Sequence, residues 1–143
     1  MKLHTLLFSL FALTTLARAG SDLPAVVDSE LPRLVATYED LHAHPELSHH
    51  EERTAALLAG ELRKAGYEVT ERVGKYPKGL QAFGIVAVLK NGSGPAVLVR
   101  TELDALPVEE KTGLSYASQV RTQNDSGQDV GVMHACGHDL HMT

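Results

Sequence analysis

The chain has 143 residues, a formal charge of −5 and 43% hydrophobic residues, the composition of a globular protein. Nothing in it favours a nucleic-acid partner, because no basic block alternates with aromatics and tryptophan is absent. A single cysteine excludes an internal disulfide framework.

Residues 1–19 read as a signal peptide. Lys2 supplies the positive start, Leu6 to Leu16 is an apolar run of signal length, and Ala17-Arg18-Ala19 is an A-x-A site that predicts cleavage before Gly20. The run is short for a membrane span, so export without stable membrane insertion is expected. The exported product is then residues 20–143. Its one thiol is an intermolecular bridge, a buried hydrophobe or a metal thiolate, and a bound metal would protect it from oxidation.

Ser21 to Pro24 reads as a linker. Val27, Leu31, Leu34, Val35, Tyr38 and Leu41 recur at helical spacing. Ser29 is the expected cap, with Pro32 in the first turn and an end near His44, before Pro45. The polar stretch from His42 to Glu52 follows. Ser48 with Glu51 three residues on predicts a capping box, which makes His49 and His50 a solvated first turn and His44-Pro45-Glu46 a turn. Ala55, Leu58, Leu62 and Ala65 stripe a second helix, ended by Gly66.

Tyr67 and Val69 alternate with Glu68 and Thr70, as in a half-buried strand. Residues 74–79 read as a loop. Ala82 to Leu89 and Ala96 to Arg100 are apolar runs around a Gly-rich link, which predicts an antiparallel hairpin. Neither run alternates, so both sheet faces are expected to be covered by helices in an α/β layer structure. Glu102 and Asp104 then stand just past a buried strand, where ligands sit in open α/β sheets. Glu109 and Glu110 read as solvated, residues 118–131 as a polar surface loop, and Val132 and Met133 as a return to the core.

The last eleven residues, Met133 to Thr143, hold the lone cysteine and three of the eight histidines. A thiolate and an imidazole separated by one glycine suit a zinc-like ion. If the segment is extended, Cys136 and His138 point to one side, and Gly137 lets the backbone close in around the ion. Asp139 is placed to accept the second ring N–H of a ligating histidine or to cap a helix beginning at Leu140. Zinc takes about four ligands, so the others must come from elsewhere. A buried structural thiol is the plain alternative.

Residues 41–48 (LHAHPELS), 100–107 (RTELDALP) and 133–139 (MHACGHD) together resemble, in order and spacing, the N-terminal part of the M20 metallopeptidases, closest to their amidohydrolase branch. The resemblance implies residues 20–143 to be the N-terminal portion of a zinc-exopeptidase-like catalytic domain, helices packed on a mixed sheet, incomplete. It implies a hydrolase with two divalent ions, Zn or Mn, acting on a small N-acyl amino acid or short peptide. Cys136 and His138 match two metal ligands, and Asp104 matches the acidic residue beside the metal site. Glu102 stands where the branch more often has Asp. The general-base glutamate with its neighbouring glutamate ligand, the remaining histidine ligands and a domain through which the full-length protein would form a homodimer all match positions downstream of this motif. The chain is therefore expected to be a portion that is inactive alone. The other reading is an exported metal-binding module using Cys136, His138, His134 and His141.

Overall fold

The computed structural model describes residues 22–77 and 79–143, so the expected signal peptide and its cleavage site before Gly20 lie outside the described residues. In chain order the elements are α1 (Leu23–Ala43), α2 (Glu52–Lys64), β1 (Glu68–Val73), β2 (Gly84–Val88), β3 (Arg121–Gln123), β4 (Asp129–Gly131) and α3 (His138–Met142). Among the described residues no helix is long and apolar enough to cross a membrane.

Helix α1 begins earlier than its periodicity predicts. Val26 N–H donates to the Asp22 carbonyl, and Pro24 lies in the first turn, where a missing N–H costs nothing. Ser29 is consequently not a cap. Its hydroxyl donates to the Val26 carbonyl from within the helix, and Pro32 is interior too. Of the expected apolar stripe, Val27, Leu31 and Val35 remain about half exposed, and burial comes only at the C-terminal end, at Leu41 and His42.

The cap of α2 is supplied from an unexpected place. No Ser48–Glu51 box forms; the helix carries no side-chain cap from its own N-cap residue, Glu51. Instead Glu46 reaches forward, its two carboxylate oxygens accepting the Arg53 N–H at 3.0 Å and the Thr54 N–H at 2.7 Å. A carboxylate spanning two free amides at the positive helix end satisfies more of that end than a serine hydroxyl does. At the other end Gly66, at φ +89°, closes a Schellman turn: Gly66 N–H donates to Arg63 and Tyr67 N–H to Leu62.

Strand pairing differs from the expected hairpin. β2 pairs antiparallel with β1, Val69 opposite Ala87 and Thr70 opposite Val86, and not with residues 96–100. Those residues form no strand, and Val97, Leu98 and Val99 are 87–91% exposed. Residues 67–73 are delivered beside β2 by the tight Gly66 turn, and β1 is the strand that β2 pairs with. Nor are both faces of β2 covered, since its burial alternates between half-buried and exposed. Residues 118–131 are likewise more than a loop. β3 and β4 form a hairpin, Thr122 opposite Val130, around an Asn124 whose side-chain oxygen accepts from the Ser126 and Gln128 amides. That Asx-type turn was the available signal.

A short ladder of separate segments positions the site. Ala105 N–H donates to the Glu46 carbonyl at 2.7 Å, Leu106 and Met133 exchange both backbone bonds at 2.9 and 3.1 Å, and Val132 N–H donates to Val120. Leu47, Ala105 and Val132 are buried together at its centre, with Val120 and Val130 packed against them. The return of Val132 to the core, expected from sequence, is observed. This ladder sets Asp104 and the turn after Met133 side by side.

Glu46 makes a specific prediction. Replacing it by alanine leaves the Arg53 and Thr54 amides without acceptors, Thr54 being fully buried. Glu46→Ala is expected to lower unfolding stability by about 1–3 kcal/mol, read from the denaturant midpoint; an unchanged midpoint would contradict the cap.

Candidate metal centre

The turn that carries the expected ligands is not extended. Ala135 N–H donates to Met133 and Gly137 N–H donates to His134 at 3.1 Å, folding residues 134–137 back before α3 begins at His138. Gly137 is required for its φ of +74°, a left-handed conformation that side chains resist, and not for close approach, because a Cβ there would meet nothing within 4 Å. Cys136 lies on this turn with an exposed, free thiol.

His138 and Asp104 are brought together. The His138 ring Nδ1 is 2.8 Å from the Asp104 carbonyl oxygen and 3.2 Å from its carboxylate. A carbonyl can only accept, so Nδ1 carries the proton and donates. In the neutral ring Nε2 then keeps its lone pair, the state a metal ligand needs. Glu102, by contrast, pairs with Arg100 at 3.0 Å on the surface.

Behind this turn lies a buried cluster that the sequence pattern does not isolate. His42, at the end of α1, is 5% exposed. Its Nδ1 is 2.6 Å from a carboxylate oxygen of Asp139, and its Nε2 is 3.0 Å from Glu110. Two sequence expectations are corrected here. Asp139 orients His42 rather than a ligating histidine, and its other oxygen accepts only the adjacent Leu140 N–H; the residue before α3 is Gly137, so Asp139 is not the cap. Glu110 is not solvated: its side chain has no exposure, and it also accepts from the Thr112 hydroxyl and the Ser118 amide. Tyr38 and Tyr116 close over the His42 ring, with centroids at 5.6 and 5.3 Å.

The electrostatics follow from these contacts. Burial pushes the His42 imidazolium toward neutrality, but the hydrogen bonds to Glu110 and Asp139 outweigh burial and hold its pKa above the ordinary histidine value. Burial acts against the Glu110 carboxylate too, and the bonds from Thr112, His42 and the Ser118 amide overcome it, leaving its pKa lowered. His134 is 4% exposed, neither ring nitrogen has a hydrogen-bond partner among the described residues, and burial lowers its pKa. His141 is exposed, its ring centroid 6.1 Å from that of His138.

The donors on this turn suit the metal that the motif implies. A free thiol, and an imidazole whose Nε2 is left unencumbered by the Asp104 carbonyl, are zinc-type donors and number half of a four-coordinate shell. Among the described residues no three His, Cys, Asp or Glu side chains gather as a metal-holding group.

Comparison with known proteins bears on the fold and the family. No family model matches the chain. It is 44% identical to a probable hydrolase of a Synechocystis strain over 124 residues, 85% of this chain and 28% of that protein. It is 42% identical to a hippurate hydrolase of Campylobacter jejuni over 72% of this chain and 23% of the enzyme. Among solved structures, a dinuclear metal-binding peptidase of the M20 family from Bacillus subtilis superposes with a TM-score of 0.62 at 34% identity, covering 80% of this chain and 28% of that one. The chain carries part of the fold of an M20-family peptidase. It belongs to the M20 family and spans about a quarter of the length of the curated relatives it matches.

The buried cluster sets a pH dependence. A raised His42 pKa stabilises the fold fully below the unfolded value of about 6.5 and loses that contribution as pH rises through the folded value. The lowered His134 and Glu110 values act oppositely, their contributions being lost on acidification below the respective unfolded values. The melting temperature is therefore expected to peak near pH 6.5 and to fall on both sides. The alkaline limb should flatten in His42→Asn; a limb that persists there would assign it to another group.

Proposed function

We propose that this chain supplies the N-terminal metal-binding portion of a hydrolase that cleaves the amide bond of small N-acyl amino acids. The carrying observation is the engagement of His138 Nδ1 by the Asp104 carbonyl at 2.8 Å, which leaves Nε2 free to take a metal, two residues along the chain from the free thiol of Cys136. The relative that hydrolyses hippurate, an N-benzoyl amino acid, supports the substrate class. A pair of divalent ions, Zn or Mn, when bound supplies Lewis acidity toward the scissile carbonyl and a water of lowered pKa. Cys136 and His138 hold metal, and Asp104 fixes the ring orientation and tautomer of His138. With two donors of its own the chain binds metal weakly and does not turn over substrate by itself. The full-length protein is proposed to be a homodimer, on the family resemblance.

Cobalt binding and hydrolysis test this reading. Co²⁺ added to the purified chain is expected to give a thiolate-to-metal absorption band that Cys136→Ser removes, with no hydrolysis of N-acetyl or N-benzoyl amino acids. Turnover by the chain, abolished in Cys136→Ala, would overturn the claim of incompleteness. In a longer protein containing it, preference for free dipeptides would place the activity with exopeptidases. Tight one-to-one zinc binding by the chain alone would favour a non-catalytic metal module.

We also propose export, supported by the apolar run and the Ala17-Arg18-Ala19 site. N-terminal sequencing of the mature protein is expected to begin at Gly20; retention of Met1 would refute it.

A further inference from the structure

We propose that His42 is a positioning residue for the metal-binding turn, acting through its hydrogen bond to Asp139. This role rests on the metal-site reading above and extends it to a residue that does not touch the ion.

The cluster around His42 joins three parts of the chain. His42 ends α1, Glu110 lies in the segment after Pro107, and Asp139 is the second residue of α3, directly after His138. Both ring nitrogens face carboxylate oxygens, at 2.6 Å to Asp139 and 3.0 Å to Glu110. Carboxylates accept and do not donate, so the ring must donate from both sides, and charge-assisted bonds of this length are strong and directional. The three side chains are 0–7% exposed, so little water competes for either bond.

The second link runs through the backbone. Helix α3 is only five residues long, has no side-chain cap at its start and begins from the left-handed Gly137. A helix this short does not hold its own orientation. Two anchors fix it: the His138 ring on the Asp104 carbonyl in front, and Asp139 on His42 behind. Without the rear anchor, the His138 ring would follow its own backbone through several orientations, and would offer Nε2 to an ion held by Cys136 only part of the time. The cost would emerge as metal affinity.

The arms of the clamp can be separated by shape. An asparagine places its amide nitrogen near the position of a histidine Nδ1, and a glutamine places its own near Nε2. His42→Asn can therefore keep the Asp139 arm and lose the Glu110 arm, whereas His42→Gln does the reverse. A merely structural role would make the two variants lose affinity in proportion to their lost stability. Positioning predicts otherwise. Co²⁺ titration of the full chain, followed at the thiolate-to-metal band, should show roughly 10- to 100-fold weaker binding in His42→Gln and a much smaller change in His42→Asn, at matched loss of melting temperature. Amide hydrogen exchange provides a readout that needs no metal: the Gly137 and His141 amides, which close the turn and α3, should exchange faster in His42→Gln and not in His42→Asn.

Should His42→Gln fail to fold, Asp139→Asn weakens the same bond from its other end and is expected to reduce Co²⁺ affinity in the same range. Equal affinities in the two His42 variants, or unaltered exchange at Gly137 and His141 in His42→Gln, would overturn the proposal. If the wild-type band is absent or survives Cys136→Ser, the metal reading fails, and the exchange experiment still decides whether His42 holds the turn.

Discussion

One protonated ring between two acids, closed off from water, holds this molecule's distant parts in register. Residue 42 meets residue 139 across 97 positions of sequence and residue 110 across 68. The arrangement buries two negative charges and one positive charge. Desolvating three ionised groups is expensive, and the pairing offsets that only because the remaining oxygens are also satisfied, by Thr112, Ser118 and Leu140. Removing the ring leaves two buried carboxylates unopposed. Such a cluster specifies where α1, the 107–118 segment and α3 meet, in a chain whose apolar core is small.

The site is layered around that point. On one side, a ladder of single backbone bridges at Leu47, Ala105, Leu106 and Met133 sets Asp104 against the Cys-Gly-His turn. On the other side, His42 and its two tyrosines seal the back. Neither part uses long regular strands, and both depend on hydrogen bonds between residues far apart in sequence. His134, enclosed between them with its ring nitrogens unbonded among the described residues, is kept neutral by burial rather than by a partner.

Much of this is legible in the order of residues. The two helices, the Gly66 stop and the Val69-centred strand all rest on local rules, and local rules survive in a part of a larger fold. Most of the departures have a common cause. Ser48 and Glu51 have the spacing of a cap, but Glu46, held in place by its backbone bond to Ala105, reaches the amides first. Glu110 reads as solvated because nothing local reveals His42 as its partner. Residues 96–100 have the residue types of a strand, but pairing requires a neighbour, and they ladder with no strand among the described residues. Asp139 stands beside His138 in sequence, whereas His138 finds a nearer acceptor in the Asp104 carbonyl. Apart from the unpaired 96–100 run, each of these differences is a long-range contact overriding a correct local preference.

The bare ribbon at Val97, Leu98 and Val99 has an implication for anyone handling the molecule. Three branched apolar side chains in a row, each about nine-tenths in water, sit on backbone that forms no ladder. Ribbons of that kind recruit one another edge to edge. The concentrated chain is thus expected to self-associate through this short run.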